Sequence, residues 1–419
     1  MHPLLIDIRD EGHVPDLPAF IDAFGDLLPL LHELADTPQD PVWHAEGDVH
    51  IHTQMVLDET RALLAGRAAH LDPERRLTLV LAAALHDIAK PLTTTTKLIR
   101  GQRHVVAPRH AERGRSWLAW RLLDLGLPYP VLTRLLATIG HHHDPKLLVI
   151  KDKPAPAWRR LARLADMELL YLLEQADMRG RRCDDRDEQI ELIDLFRIGA
   201  EGYGLYPSTD PYRTWREHLR DALADEHPDL THLVVGQAIR DHEAGLIHTP
   251  EEAIARAWPQ RQGFPRLVVL CGPPAAGKTT WRDTHLPDHT PICLDDLRAS
   301  ITGDPANQSR NDAVHRAATA RLKAALRRGE SVVWDATNLR RDFRDAVTGL
   351  GFAYNALVTL VTFHVPLDLA RARNAQRERH VPEPLLERLF DQWQWPTDDE
   401  AHRHLRVDHN GNTLNSSML

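Results

Sequence analysis

The segment GPPAAGKT at residues 272–279 has the spacing of a loop that cradles phosphates. Gly272 and Gly277 let backbone N–H groups approach phosphate oxygens, and a helix opening at Lys278 adds the positive potential of its N-terminus. Lys278 would reach the β- and γ-phosphates, and the Thr279 hydroxyl would ligate Mg²⁺. The expected nucleotide-binding set is Gly272, Pro273, Ala275, Ala276, Gly277, Lys278, Thr279 and Thr280, holding ATP or another NTP with Mg²⁺. A glycine-rich turn with no ligand would share these letters. The apolar run LVVLC at 267–271 just upstream favours the phosphate loop.

Two later segments bear on the acceptor. LDDLR at 294–298 closes the next strand-like stretch. Asp295 could take the proton from an attacking hydroxyl, and Arg298 could hold an acceptor phosphate with two guanidinium nitrogens. A solvated helix start would read the same; its place one strand after the loop favours chemistry. In RARNAQRER at 371–379, Arg373 and Arg377 stand four apart, on one face of a helix predicted over Leu367–Arg379. Such a helix would close over the triphosphate as a lid and stabilise charge on the transferring phosphoryl group, rather than lie solvated on the surface.

The chain also holds 26 histidines. Histidine is the commonest metal ligand and the neutral-pH acid–base residue. In order come His52, His86-Asp87, His110, His141-His142-His143 and Asp177, each in or beside a predicted helix. A single histidine is more often a satisfied or exposed one. An apolar helix that ends in His86-Asp87 is costly unless both groups are paired or bound to metal. Imidazoles and carboxylates in this set would converge on divalent transition metals such as Mn²⁺, Ni²⁺ or Co²⁺, two in number. A two-metal site activates water and clamps a phosphate. Lys90 could hold the scissile phosphate, or could be a solvated helix end.

These groups need elements to position them. Residues 1–258 read as almost wholly helical, with LTLVLAAALHDIA at 77–89 as the most apolar helix. TPEE at 249–252 is a capping box opening a last short helix, and Trp258-Pro259 stops it. PQRQGFP at 259–265 reads as a linker. From Arg266 strands alternate with helices: strands at 267–271, 291–294, 331–334 and 357–364, helices at 278–284, 312–328 and 367–379. That alternation implies a parallel sheet. The tail at 396–419 is polar and expected to be frayed. The fold class is multidomain: an all-α domain, then an α/β domain with a parallel sheet over 266–395.

Composition excludes other classes. The chain has 419 residues, 42% hydrophobic and 26% charged, which suits two or three globular domains and excludes a disordered or collagenous protein. No apolar run spans a bilayer, and the start MHPLLIDIRDEG lacks the basic region of a secretory signal. Three scattered cysteines give neither a disulfide framework nor a cysteine zinc site, so a cytoplasmic place is expected, with no membrane partner. The net charge of −9 argues against coating long nucleic acid but leaves an end-binding arginine cluster open.

Residues 266–395 resemble the polynucleotide 5′-kinase branch of the P-loop phosphotransferases, in GPPAAGKTT, LDDLR, VVWDATNLRRDFR and RARNAQRER. The resemblance implies Asp295 as general base toward a 5′-hydroxyl, Arg298 on the acceptor's 3′ phosphate, and Arg373 and Arg377 as lid arginines. Asp335 and Asn338 would face the site, with Asp335 buttressing Arg298. Ala275 and Thr279 depart from the family's usual Gly and Ser, and Thr can still ligate Mg²⁺. The helical half resembles the HD phosphohydrolase superfamily, closest to the HD domain attached to many CCA-adding enzymes, in HAEGDVHIHTQMVLDE, AALHDIAKPLTT, RHAERGRSWLAWRLLDLGLP and LLEQADMRGR. It implies that His52, His86, Asp87 and Asp177 bind one metal and that His110, His141 and His142 bind or support a second, His142 ahead of His141, with His143 and His44 as weaker candidates. The whole resembles bacterial HD–polynucleotide kinase fusions, which implies 5′-phosphorylation of RNA or DNA ends with removal of 2′,3′-cyclic, 2′- or 3′-phosphates, upstream of a ligase. A small-molecule or nucleoside kinase fused to an HD nucleotidase, and a non-enzymatic nucleotide sensor, are the rival readings.

Overall fold

The computed structural model describes residues 1–304 and 307–418. By its internal contacts the chain divides into two compact units, Met1–Pro211 and Tyr212–Leu419.

The first unit is built around the helix Pro73–Leu85, in which every residue from Leu77 to Leu85 is buried. Asp72 caps it by accepting from Arg75 N, and Pro73 occupies the first turn, where no donor is needed. The helices Val49–Leu64, Tyr129–His141 and Met167–Arg179 pack on it. One element departs from the expected all-helical reading. Strands β1 (Thr95–Ile99) and β2 (Gln102–Val106) form an antiparallel hairpin. Its two turn residues, Arg100 at φ 50° and Gly101 at φ 83°, have the positive φ that a tight two-residue hairpin loop demands.

The second unit holds a six-stranded sheet, with β3 (Arg266–Cys271), β4 (Thr290–Cys293), β5 (Ser331–Asp335), β6 (Leu357–Phe363), β7 (Arg403–Val407) and β8 (Thr413–Met418) in the order β4-β5-β3-β6-β7-β8. All neighbours are parallel except β7 and β8. β3 lies between β5 and β6, which is why LVVLC carries no polar face.

Three expectations need correction here. The tail does not fray: residues 403–407 and 413–418 extend the sheet as β7 and β8. The helices Arg213–Ala222, Pro228–Glu243 and Pro250–Arg256, expected with the metal half, belong to the second unit. Tyr212, Leu219, Leu230, Val234, Val235 and Ile239 form their shared core, and Gly236 lies so close to His402 that a Cβ would come within 2.8 Å of it. Residues 259–265 therefore join helices to a sheet within one unit, through a short 3₁₀ turn at Trp258–Gln262.

Candidate functional site

The apolar helix Pro73–Leu85 delivers His86 and Asp87 at its C-terminal end. His52 comes from Val49–Leu64, Asp177 from Met167–Arg179, and His110 opens the helix His110–Arg121. His142 and His143 follow the end of Tyr129–His141. His52, His86, Asp87, His110, His142 and Asp177 are all buried. Asp87 divides its oxygens: Oδ1 lies 3.1 Å from His110 Nε2, and Oδ2 lies 3.2 Å from His86 Nε2. His52 Nε2 is 3.0 Å from Asp177 Oδ1, and His143 Nε2 is 3.0 Å from His110 Nε2.

Three groups of donors result. The ligand atoms of His52, His86 and Asp177 lie within 4.8 Å of one another, and so do those of His110, His142 and His143, and those of His44, Glu46 and His52. Backbone carbonyls fix three of the rings from behind: Ala83 O faces His86 Nδ1 at 3.0 Å, Ala107 O faces His110 Nδ1 at 2.7 Å, and Ile139 O faces His142 Nδ1 at 2.7 Å. A carbonyl there requires Nδ1–H, so each Nε2 presents a lone pair to the cluster. Among the described residues His142 Nε2 is buried without a hydrogen-bond partner, which suits a cation ligand.

The electrostatics divide: Asp87, acting against burial, raises His86, whereas its neighbours take the ligating forms. Burial, then the neighbouring His110 and His86, pulls His142 down to about 3, so it is neutral. Burial pushes Asp87 and Asp177 up, but His86 and Lys90 around Asp87, and Arg181 and His52 around Asp177, hold both well below the carboxylate range. Neutral imidazoles and ionised carboxylates are the ligating forms. Lys90 is not a solvated helix end: it is buried, with Nζ 2.7 Å from Asp87 Oδ2. His141 is turned away from the cluster. Its Nδ1 lies 2.7 Å from Asp144 Oδ2 and its Nε2 faces Arg115. His143 takes the place expected for His141, because the chain leaves the helix at His141 and the next two rings swing inward.

In the second unit the phosphate loop follows β3. Gly277, at φ 97°, needs the freedom of glycine, and a Cβ at Gly272 would strike Phe363 at 2.9 Å. Thr279 and Thr280 are exposed in the first turn of the helix Lys278–His285. Lys278 Nζ donates to Gly272 O at 2.9 Å and Pro273 O at 2.7 Å, folded back on its own loop. Desolvation lowers its pKa to about 8 against the opposing pull of Asp335. Arg377 and Asp295 also act on its charge.

Asp295 is exposed at the start of the helix Leu294–Thr302, and Arg298, buried, donates to its Oδ1 at 2.5 Å and to Asn311 at 3.2 Å. Arg373 reaches over the loop, where a Cβ on Gly277 would lie 3.7 Å from its Nη1, and donates to His409 O at 2.6 Å. The helix expected to act as a lid, Leu367–Ala375, stops before Arg377, so Arg373 and Arg377 do not share one helical face as expected; Arg377 stands in the turn beyond. Asp335 does not buttress Arg298: its partner is Arg282, at 2.7 Å. Asn338 is a strut, its side chain donating to Leu270 O at 2.6 Å and its carbonyl accepting from Arg344 at 3.0 Å.

An HD domain model matches residues 49–177, and an AAA domain model matches residues 267–395. An HD phosphohydrolase-type unit and a P-loop, kinase-like α/β unit thus stand in one chain. The chain is 31% identical over 165 residues to the multifunctional CCA protein of Acidovorax sp. (strain JS42), covering 37% of this chain and 34% of that protein. It is 31% identical over 170 residues to the multifunctional CCA protein of Xanthomonas euvesicatoria pv. vesicatoria (strain 85-10), covering 38% of this chain and 37% of that protein. The chain therefore spans little more than a third of the length of these curated relatives.

Several residues around the sites had no part in the expectations. Glu46 Oε1 lies 3.1 Å from His52 Nδ1, and Arg181 grips Asp177 with three hydrogen bonds of 2.6–3.0 Å. Glu174 is fully buried between His143 and Lys146, and burial raises it to about 7. Arg181 was findable as the i+4 partner of Asp177. Glu46 was findable only through His44 two residues before it, and Glu174 carries no local signal, since His143 and Lys146 come from another turn of chain.

Proposed function

We propose that the protein is a bifunctional nucleic-acid end-healing enzyme. Its P-loop unit phosphorylates 5′-hydroxyl ends with an NTP, and its HD unit removes 2′,3′-cyclic, 2′- or 3′-phosphates. Broken RNA that carries a cyclic phosphate and a 5′-hydroxyl needs both steps before it can be sealed.

In the kinase step Asp295 takes the proton of the 5′-hydroxyl as its oxygen attacks the γ-phosphorus, and the nucleoside diphosphate leaves. Arg298 holds the acceptor phosphate after opening from Asp295, and Arg373 and Arg377 neutralise the transferring group. Thr279 and Asp335 are the residues that would hold Mg²⁺ with the nucleotide. In the HD unit, His52, His86, Asp87 and Asp177 would hold one divalent cation and His110, His142 and His143 another. Bound metals supply an activated water and polarise the phosphate. Lys90 would meet the phosphate's charge.

The observation that carries this reading is Arg298. A small acceptor needs no second phosphate contact, yet a buried arginine stands one turn after the candidate base. The test is incubation of the protein with an RNA oligonucleotide bearing a 5′-hydroxyl and a 2′,3′-cyclic phosphate, with ATP, Mg²⁺ and Mn²⁺. Mass spectrometry should show phosphate gained at one end and the cyclic phosphate opened or removed at the other. Phosphorylation of free nucleosides with no reaction on the oligonucleotide would replace this reading by a small-molecule kinase.

A further inference from the structure

We propose that the β1–β2 hairpin, together with Trp43, is a binding surface for the single-stranded nucleic acid leading into the HD metal centre. The inference rests on the phosphoesterase reading above for the identity of the end, but the surface is argued from its own residues.

Both feet of the hairpin stand at the metal centre. It leaves the chain just after Lys90, which contacts Asp87, and returns at His110, which contacts the other oxygen of Asp87. Asp40 ties down the return strand, with Oδ2 3.0 Å from His104 Nδ1 and 2.9 Å from Val105 N. The hairpin is thus anchored at its base, while all of β1 is exposed.

Its charge is unlike that of the rest of the chain. From Ile88 to Ala111 there is no aspartate or glutamate, whereas Lys97, Arg100 and Arg103 lie on or at the tip of the hairpin, in a protein of net charge −9. Among the described residues these three cations form no salt bridge. A basic strand pair that leaves its charges unpaired fits a polyanion running alongside it.

Beside the charge lies an aromatic surface. The ring of Trp43, 38% exposed, stacks on His104 of β2 with centroids 4.7 Å apart and planes 14° from parallel. Trp43 directly precedes His44, whose ring meets the metal-group residue His52 edge-on. An aromatic face backed by a second ring and flanked by unpaired cations is the combination that binds single strands, by base stacking and backbone neutralisation. Leu98, 73% exposed at the hairpin, adds an apolar contact for a sugar or base. A membrane surface would use the same cations, but it offers no reason for a stacked Trp–His pair beside a buried metal site.

The test uses the full-length protein and a labelled twelve-nucleotide RNA that ends in a 2′,3′-cyclic phosphate and carries 4-thiouridine next to its last nucleotide. Photocrosslinks should map to the peptides holding Trp43 and residues 95–106. The triple variant Lys97→Ala/Arg100→Ala/Arg103→Ala should raise the KM for cyclic-phosphate removal from this RNA. It should also lower the log–log salt slope of that KM by about 2, at roughly 0.7 per phosphate contact. Trp43→Ala should weaken binding of the strand at this site by roughly 5- to 150-fold, the range for one lost base stack. A nucleoside 2′,3′-cyclic phosphate, too short to reach the hairpin, should be turned over at the parental rate by the triple variant. Crosslinks confined to other segments, or equal loss on the short and long substrates, would overturn the proposal. Binding of anionic vesicles with no crosslinked RNA would assign the surface to a membrane instead. If the parent protein crosslinks at the hairpin yet opens neither substrate, the phosphoesterase reading fails and the strand-binding surface stands.

Discussion

Glu46 Oε1 sits 3.1 Å from His52 Nδ1, on the far side of the ring from Asp177. The same oxygen lies 2.8 Å from His44 Nδ1, while Oε2 accepts from Arg182 N at 2.9 Å. These partners, acting against burial, hold the Glu46 carboxyl well below its usual range. An ionised carboxylate there keeps the proton on His52 Nδ1 and leaves Nε2 as the ligand. Glu46→Gln should therefore weaken metal binding in the HD unit by about 10- to 100-fold, the cost of losing such a partner. Titration of the metal-stripped protein with Mn²⁺ checks this, and unchanged affinity would reduce Glu46 to a packing role.

The two histidines flanking His142 should part company. His143 stands 3.0 Å from His110 in the cluster, whereas His141 is held by Asp144 and Arg115. His143→Ala should lower phosphoesterase activity and the second equivalent of bound metal, and His141→Ala should leave both near the parental level. Metal content by elemental analysis, with turnover beside it, decides between them. The reverse pattern would restore the assignment that the order of residues first suggests.

Much of the architecture is legible in the chain because its signals are local. GPPAAGKT, the apolar β3 and the alternation after Arg266 each follow from neighbours within a few residues. The candidate ligand set was legible as residue types, but not that His143 rather than His141 joins the cluster, which depends on how the chain turns after a helix end. The hairpin at 95–106 was hidden because its strands are exposed and show no core-facing alternation. The last hairpin did carry a signal, Asn410-Gly411 between β7 and β8, that polar composition obscured. The unit boundary was illegible for another reason. Gly236 and His402 meet across more than a hundred and fifty residues, and no local pattern announces such a contact.

Nucleotide affinity should depend on pH through Lys278. In the free loop its pKa is lowered to about 8 by desolvation, below the ordinary 10.5 of lysine. Below pH 8 the ammonium is already charged and Kd should be flat. Above pH 8 the free protein must take up a proton to meet the triphosphate, so Kd should rise, by up to about tenfold per pH unit for one linked proton. Lys278→Met should bind more weakly at pH 7 and lose this slope. Calorimetric titration with a non-hydrolysable NTP over pH 7–9.5 reads both; a flat parental curve would place the lysine's titration elsewhere.

Asp295 and Arg298 should separate in kinetics although they touch in the structure. Asp295→Ala removes the candidate base and should cost about 10²–10⁴ in kcat for 5′-phosphorylation, with NTP affinity retained. Arg298→Ala should raise the KM for oligonucleotides and nucleoside 3′-phosphates far more than the KM for NTP. Near-normal kcat in Asp295→Ala would transfer the role to Asp296, and parallel loss of NTP and acceptor binding in Arg298→Ala would make that arginine structural.

The sharpest prediction concerns where the chain can be cut. The two catalytic sets lie on opposite sides of residue 211, so each activity should survive loss of the other: His86→Ala with Asp87→Ala should abolish phosphoesterase and spare the kinase, and Lys278→Ala with Thr279→Ala should do the reverse. A kinase fragment, however, cannot begin at the apparent linker near Gln260. The helix Pro228–Glu243 packs on the sheet side of its unit, with Gln237 facing His402 at 3.3 Å and Arg240 stacked 3.4 Å over the Phe352 ring. Leu230, Leu233, Val234, Val235 and Ile239 of this helix are buried. In a fragment that begins at Gln260 these side chains are gone together with the helices they pack against, and the surface around His402 and Phe352 that Gln237 and Arg240 cover is left open. A fragment Tyr212–Leu419 should fold cooperatively and phosphorylate 5′-hydroxyl ends, whereas Gln260–Leu419 should aggregate or unfold without a transition. Thermal melts by circular dichroism and a phosphoryl-transfer assay on both fragments test this. If the shorter fragment melts cooperatively and remains active, the helices at 213–256 are an accessory layer and the division at residue 211 does not mark the kinase unit.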